Sequence, residues 1–276
     1  MPDDPVFVYP DRPWWLWPNL LGLDAVMVAV TWQLFLTREA EVPLPATTLL
    51  TLATTVWAIY LFDRWSDVQS KPIEATDRHQ FAWHHRRAFL IGIVLNLLFA
   101  GFLTVNFLPA SHLRIGLVLA SGCAVYLLAV ACGRFPAGWP GARELVVGTL
   151  FALGSAIPLL AEGPRLPADW CLGILVFAGL CTGNGILIHR WEHPDSAQPS
   201  WPFRVGLIAV VIGATLATPA AFQIAVALSI TGMIVLDMFQ RIMTTRLRRV
   251  LVDLALLSPW LVVLQGELIN GFLGDG

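Results

Sequence analysis

Long stretches of the chain have no alternation of apolar and polar positions. Apolar runs fall at roughly 19–37, 44–63, 88–108, 113–132, 144–161, 169–189, 204–218, 220–240 and 250–267, most of them near the ~17–25 residues that a helix needs to cross a hydrocarbon core. Nine such runs joined by short polar connections predict an all-α integral membrane protein, one domain over residues 1–276 built as a nine-helix transmembrane bundle. Only Thr218 and Pro219 separate the seventh run from the eighth, and a re-entrant pair would show the same pattern. Trp14, Trp15 and Trp17, just ahead of the first run, fit an interfacial aromatic belt. The N-terminal stretch has acidic residues where a signal peptide needs basic ones, and no cleavage site follows a short apolar core. The first helix is therefore expected to stay in the mature protein.

Composition agrees with this reading. The chain is 57% hydrophobic and 13% charged, against about 25% charged residues in a soluble domain. No basic tail or aromatic-basic patch points to nucleic acid. Cys123, Cys132, Cys171 and Cys181 all fall inside apolar runs without a CxxC spacing, which reads as small core residues. Charge is unevenly distributed: with nine spans, fourteen of the 17 Lys and Arg fall at the N-terminus and in the loops after spans two, four, six and eight. Only Arg38, Arg114 and Arg165 fall on the other side. By the positive-inside rule the N-terminus and the charged loops are cytoplasmic and the C-terminus lies outside. The expected location is the cytoplasmic, inner membrane of a bacterium.

The remaining polar residues are concentrated rather than scattered. An ionisable group at mid-helix costs roughly 2.5–3.5 kcal/mol even on a lenient insertion scale, so placement carries information. Asp63 ends span two, Asn184 and His189 end span six, Asp237 ends span eight and Asp253 begins span nine. All lie toward one side, where they could border one polar cavity. Asp63 and Asp67 sit four apart, so a helix carried through both projects the two carboxylates from one face. Glu192 and Asp195 follow span six on the same side. Two facing carboxylate groups suit a diphosphate substrate when Mg²⁺ bridges protein and phosphate oxygens, because Mg²⁺ takes hard oxygen ligands and only one or two from protein. On that reading Asp63, Asp67, Glu192 and Asp195 hold the metal, while Lys71, Arg78, Arg143 and Arg190 neutralise the leaving diphosphate. Plainer readings stand beside it. Asp237 with Arg241 and Arg249 with Asp253 are i,i+4 pairs that can solvate one another, Glu192 and Asp195 can be ordinary loop residues, and His84 and His85 belong to the interface.

The pattern resembles the UbiA superfamily of intramembrane prenyltransferases, whose Asp-rich motifs N-D-x-x-D-x-x-x-D and D-x-x-Y-x-x-x-D-x-x-x-D follow helices two and six. In FDRWSDVQSK, Asp63 takes the place of the family's Asn, Arg64 of its first Asp, Asp67 of its central Asp and Lys71 of its last. Downstream, Arg78 and His79 lie near the family's basic segment. In NGILIHRWEHPD, Asn184 takes the first Asp, Leu187 the Tyr, Trp191 the middle Asp and Asp195 the last, with Glu192 one residue off register. Arg143 falls near a family Lys or Arg that contacts diphosphate. Of the six aspartates, Asp67 and Asp195 keep their places.

The resemblance implies a divergent membrane prenyltransferase with Asp63, Asp67 and Asp195 as catalytic residues. Lys71, Arg78, Arg143, Asn184 and Arg190 would bind an isoprenyl diphosphate beside Mg²⁺, and the acceptor would be a lipophilic aromatic, quinone precursor or pigment within the bilayer. A terpene cyclase on the same bundle is the enzymatic alternative. Arg64, Lys71 and Trp191 at ligand positions favour a third reading, a lipid- or pigment-binding membrane subunit without a metal site.

Overall fold

In a computed structural model the chain is described over residues 13–70, 77–132, 141–192, 200–215 and 219–273, and the side chains of Asp67 and His79 are among a few within these ranges that lie outside the description. Every regular element in these residues is helical. In chain order they are α1 (Trp17–Leu21), α2 (Leu23–Glu39), α3 (Ala46–Ser70), α4 (Asp77–His84), α5 (Arg86–Phe107), α6 (Ala110–Ala131), α7 (Ala142–Ser155), α8 (Ile157–Ala161), α9 (Ala168–Glu192), α10 (Ser200–Thr215), α11 (Ala220–Met238), α12 (Thr245–Ala255) and α13 (Ser258–Leu273). Five helices are long and apolar enough to cross a membrane: Ala46–Ser66, Arg86–Phe107, Ala110–Val130, Ala168–Glu192 and Ala220–Met238. A sixth results if Trp14–Leu21 and Leu23–Glu39, bent by 77° to one another, make one span. Their number and length are those of a multi-pass membrane protein. The bend falls at Gly22, whose φ of +70° lies in the left-handed region that favours glycine.

Two of the apolar runs are each two helices rather than one. The run at 144–161 breaks at Ala156, between α7 and α8, where Pro158 falls in the first turn of the second helix. The run at 250–267 breaks between α12 and α13, with Pro259 in the first turn of α13. Proline tolerates a helix's first turn but removes the hydrogen bond that would continue the helix before it. The α12 segment also carries Arg246, Arg248, Arg249 and Asp253 within one short helix, too polar for a lipid-facing span. A break inside a membrane protein leaves backbone carbonyls that no water can reach. Here they are met from neighbouring helices: Ser229 Oγ donates to the carbonyl of Ala255 at 2.8 Å and Trp32 Nε1 to that of Leu256 at 2.8 Å.

Trp32 is also the centre of the main core. Its ring stacks on Phe177 with centroids 4.3 Å apart and meets Phe35 and Phe222 edge-on. This hub ties α2, α9 and α11 together, and Val252 and Leu256 close it from the side of the break. A second cluster, Leu16, Leu20, Leu61, Phe81 and Phe89 among others, joins α1, α3, α4 and α5. Between the two, α7 lies against α9 at close range, since a Cβ on Gly148 would stand 2.6 Å from the backbone nitrogen of Thr182. Small residues let helix backbones approach in this way where lipid supplies no hydrophobic drive. In contrast, α5 and α6 turn Leu98, Phe102, Val105, Val118 and Val125 outward, as lipid-facing helices do. The four thiols are free; Cys132 and Cys171 are exposed rather than part of the core, and Cys123 and Cys181 are half-buried.

Candidate functional site

The α3 helix does carry through Asp63 and Asp67, because the sequence offers no helix breaker before Pro72. The α9 helix likewise runs unbroken past Gly183 and Gly185 to Glu192. Both therefore deliver their polar ends to the same end of the bundle. Between them lies a cavity of about 310 Å³, at the small end of the ~300–1,000 Å³ usual for ligand pockets. Each wall is one face of a helix at i, i+3, i+4 spacing: Tyr60, Asp63 and Arg64 from α3; Arg143, Glu144, Val147 and Phe151 from α7; Cys181, Asn184, Ile188 and Glu192 from α9; Asp24 and Val28 from α2. The short helix α4 adds Arg78, α12 adds Asp253, and the break after it adds Leu256. Along α7 and α2 the lining passes from charged at one end to apolar a turn or two further on. Such a graded cavity suits an amphiphile with an ionic head.

Most carboxylates in the cavity have a described partner. Arg143 Nη2 donates to Asp63 Oδ1 at 3.2 Å, and Arg143 Nε to the Tyr126 hydroxyl at 3.3 Å. Glu192 is clasped by Arg78 and by Arg249, arriving from α4 and α12. Glu144 Oε1 lies 3.6 Å from His189 Nδ1. Deeper in, Asn184 Nδ2 donates to Asp253 Oδ1 at 3.0 Å and Asn19 Nδ2 to Asp24 Oδ2 at 2.6 Å. Two polar atoms remain buried and without a hydrogen-bond partner among the described residues, Arg64 Nε and Asn184 Oδ1.

Of the residues singled out from the sequence, Asp63, Arg78, Arg143, Asn184 and Glu192 meet at this cavity. Arg190 does not: six positions on from Asn184, it projects from another side of α9, near Asp237 at 3.7 Å and over the ring of Phe203. Asp237, expected to pair with Arg241, is held by Arg204 at 2.8 Å and by Arg190, from two other helices. Arg249, expected to pair with Asp253, reaches Glu192. Lys71, Asp195 and the Asp67 side chain lie outside the described residues.

Asn19, Asp24, Tyr126 and Glu144 were not anticipated. Asp24 had a signal, being a lone carboxylate within an apolar run. Glu144 had one as well, standing beside Arg143 at the start of an apolar run, whereas Tyr126 had none.

Whether this donor set fits Mg²⁺ turns on its two described members. Asp63 accepts from Arg143 and Glu192 is shared by two arginines, and among the described residues no group of three or more His, Cys, Asp or Glu is gathered. Each engages guanidinium through a single oxygen, Asp63 Oδ1 and Glu192 Oε1, so either would bind Mg²⁺ only by sharing or releasing its arginine. No family model, curated protein or solved structure matches the chain.

Proposed function

We propose that the protein is a divergent UbiA-like membrane prenyltransferase. In this reading the chain crosses the membrane nine times with its N-terminus in the cytoplasm, and the cavity receives an isoprenyl diphosphate. The observation that carries it is the meeting, at one graded cavity, of Asp63 and Arg78 from one polar stretch with Asn184 and Glu192 from another more than 100 residues away, and of Arg143 between them. The diphosphate head lies among Arg78, Arg143 and Asn184, and the first isoprene units lie along Val28, Val147 and Phe151. Cleavage of the allylic C–O bond sends its electron pair to the diphosphate oxygen, where guanidinium groups stabilise the growing charge. A nucleophilic carbon of the lipophilic acceptor supplies the pair for the new C–C bond, and the proton it sheds passes to a cavity carboxylate. No step of this account passes through a metal.

The ion pairs support a second reading. Asp63 and Glu192 satisfied by arginine are what a lipid- or pigment-binding subunit without catalysis would have. One assay separates the two. Full-length protein in detergent is incubated with farnesyl or geranylgeranyl diphosphate, Mg²⁺ and an extract of quinone precursors and pigments, and diphosphate release is measured. Release that falls at least ~10-fold in Arg143→Gln, the effect of one charge-assisted contact, supports prenyl transfer. Binding without release supports the subunit.

A further inference from the structure

We propose that Arg64 is a further anion-binding residue of the cavity, its guanidinium directly contacting a phosphate oxygen of the ligand. Arg64 lines the cavity from α3, and its Nε is buried without a hydrogen-bond partner. Among the described residues it makes no ion pair, although those around it do. Arg143 is on Asp63, and Arg78 and Arg249 are on Glu192.

The surroundings do not explain an idle cation. Asp24 and Asp63 are near enough to attract it and Arg78 near enough to repel it, yet Asp24 is taken by Asn19 and Asp63 by Arg143. Isolated buried charge is costly, and proteins ordinarily pair it. The α1–α2 turn also packs beside this side chain, since a Cβ on Gly22 would come within 3.8 Å of Arg64 Nε. The guanidinium is therefore positioned, facing a cavity, and short of an anion. Guanidinium offers a planar fork of donors that matches phosphate oxygens in pairs. A position where the resembled family has a carboxylate for metal would here contact the anion itself.

The inference rests on the prenyl-transfer reading for the diphosphate chemistry. The phosphate could belong to a lipid headgroup or to a free anion, and the test has an arm for each. Full-length protein in detergent is titrated with farnesyl thiodiphosphate and, separately, with inorganic pyrophosphate, both in excess EDTA, and affinity is read from the shift in melting temperature. Wild type is expected to bind without metal, Arg64→Gln to bind at least tenfold more weakly, and Arg64→Lys to fall between. Binding of pyrophosphate alone identifies a free anion; binding of the thiodiphosphate alone identifies a lipid headgroup. Without ligand, Arg64→Gln should melt no lower than wild type, because it removes a partly buried charge that no described group pairs.

Unchanged affinity in Arg64→Gln, no binding of either anion by wild type, or a lower ligand-free melting temperature in both variants would each overturn the assignment. The two claims fail separately. Metal-free binding that depends on Arg64, without diphosphate release, keeps the anion contact and sinks prenyl transfer. Diphosphate release with an unchanged KM in Arg64→Gln does the opposite.

Discussion

The aromatic hub and the charged cavity share helices α2 and α9, and they are built on opposite terms. At the hub, large side chains fill the space and nearly every buried polar group has a partner. Trp32 takes the carbonyl of Leu256, Ser229 that of Ala255, Ser258 Oγ donates to that of Ala225 at 2.7 Å, and Trp260 Nε1 donates to Thr31 at 2.8 Å. Gln33, its side-chain amide buried without a partner, and Trp191 Nε1 are exceptions in that core, and nothing in the structure explains them. At the cavity, space is left open, carboxylates and arginines crowd it, and Arg64 Nε and Asn184 Oδ1 are left over. A region that satisfies its own polar groups is complete as folded. On the proposed reading, the ionic head of a ligand would complete the cavity. The two are joined at the α12–α13 break, where Leu256 touches both.

Substitutions should separate the regions by what they damage. The largest effect is expected from Trp32→Ala, which empties the hub and frees the Leu256 carbonyl. The cost should be about 3–5 kcal/mol, read as a fall in unfolding free energy in a detergent titration, and ligand should not restore it fully. Asp237→Ala should come next. Asp237 is 1% exposed and its loss strands Arg190 and Arg204, at about 3 kcal/mol. Gly148→Ala should push α7 from α9 and cost about 1–3 kcal/mol, with a loss of ligand affinity as the cavity walls part. Smallest in stability is Arg143→Gln. Its pair with Asp63 is nearly half exposed on both sides, so it should contribute about 0–1 kcal/mol while its removal reduces diphosphate release at least ~10-fold. A large stability loss in Arg143→Gln would erase the contrast, placing the cavity among the structural regions.

The sequence made some of this legible and not the rest. The apolar runs were visible because a membrane demands length and continuity, and the polar ends of α3 and α9 stood out against them. The breaks after Ser155 and Ala255 had signals in Pro158, Pro259 and the polar α12 segment, yet hydropathy over a long window averages across them. What could not be read was partner choice. Asp237 prefers Arg204 and Arg190 to its neighbour along the helix, and Glu192 gathers Arg78 and Arg249 from distant segments. Those choices depend on how each helix is rotated about its axis. A soluble helix announces its rotation through an apolar stripe, whereas a helix apolar all round does not. Arg64 stands, in sequence, where the resembled family has a metal ligand, which already leaves room for a direct cation contact; what the sequence lacked was its unpartnered, buried Nε.

The most direct test of the cavity as a diphosphate site compares ligand-induced thermal shifts in three proteins: wild type, Arg143→Gln and the hub variant Trp32→Phe. Trp32→Phe loses the donor to Leu256 and should melt lower by the equivalent of about 1–3 kcal/mol. The account expects geranylgeranyl diphosphate to raise the melting temperature of wild type and Trp32→Phe alike, and to leave Arg143→Gln almost unmoved. Equal shifts in Arg143→Gln and wild type, or no shift in any of the three, would contradict it.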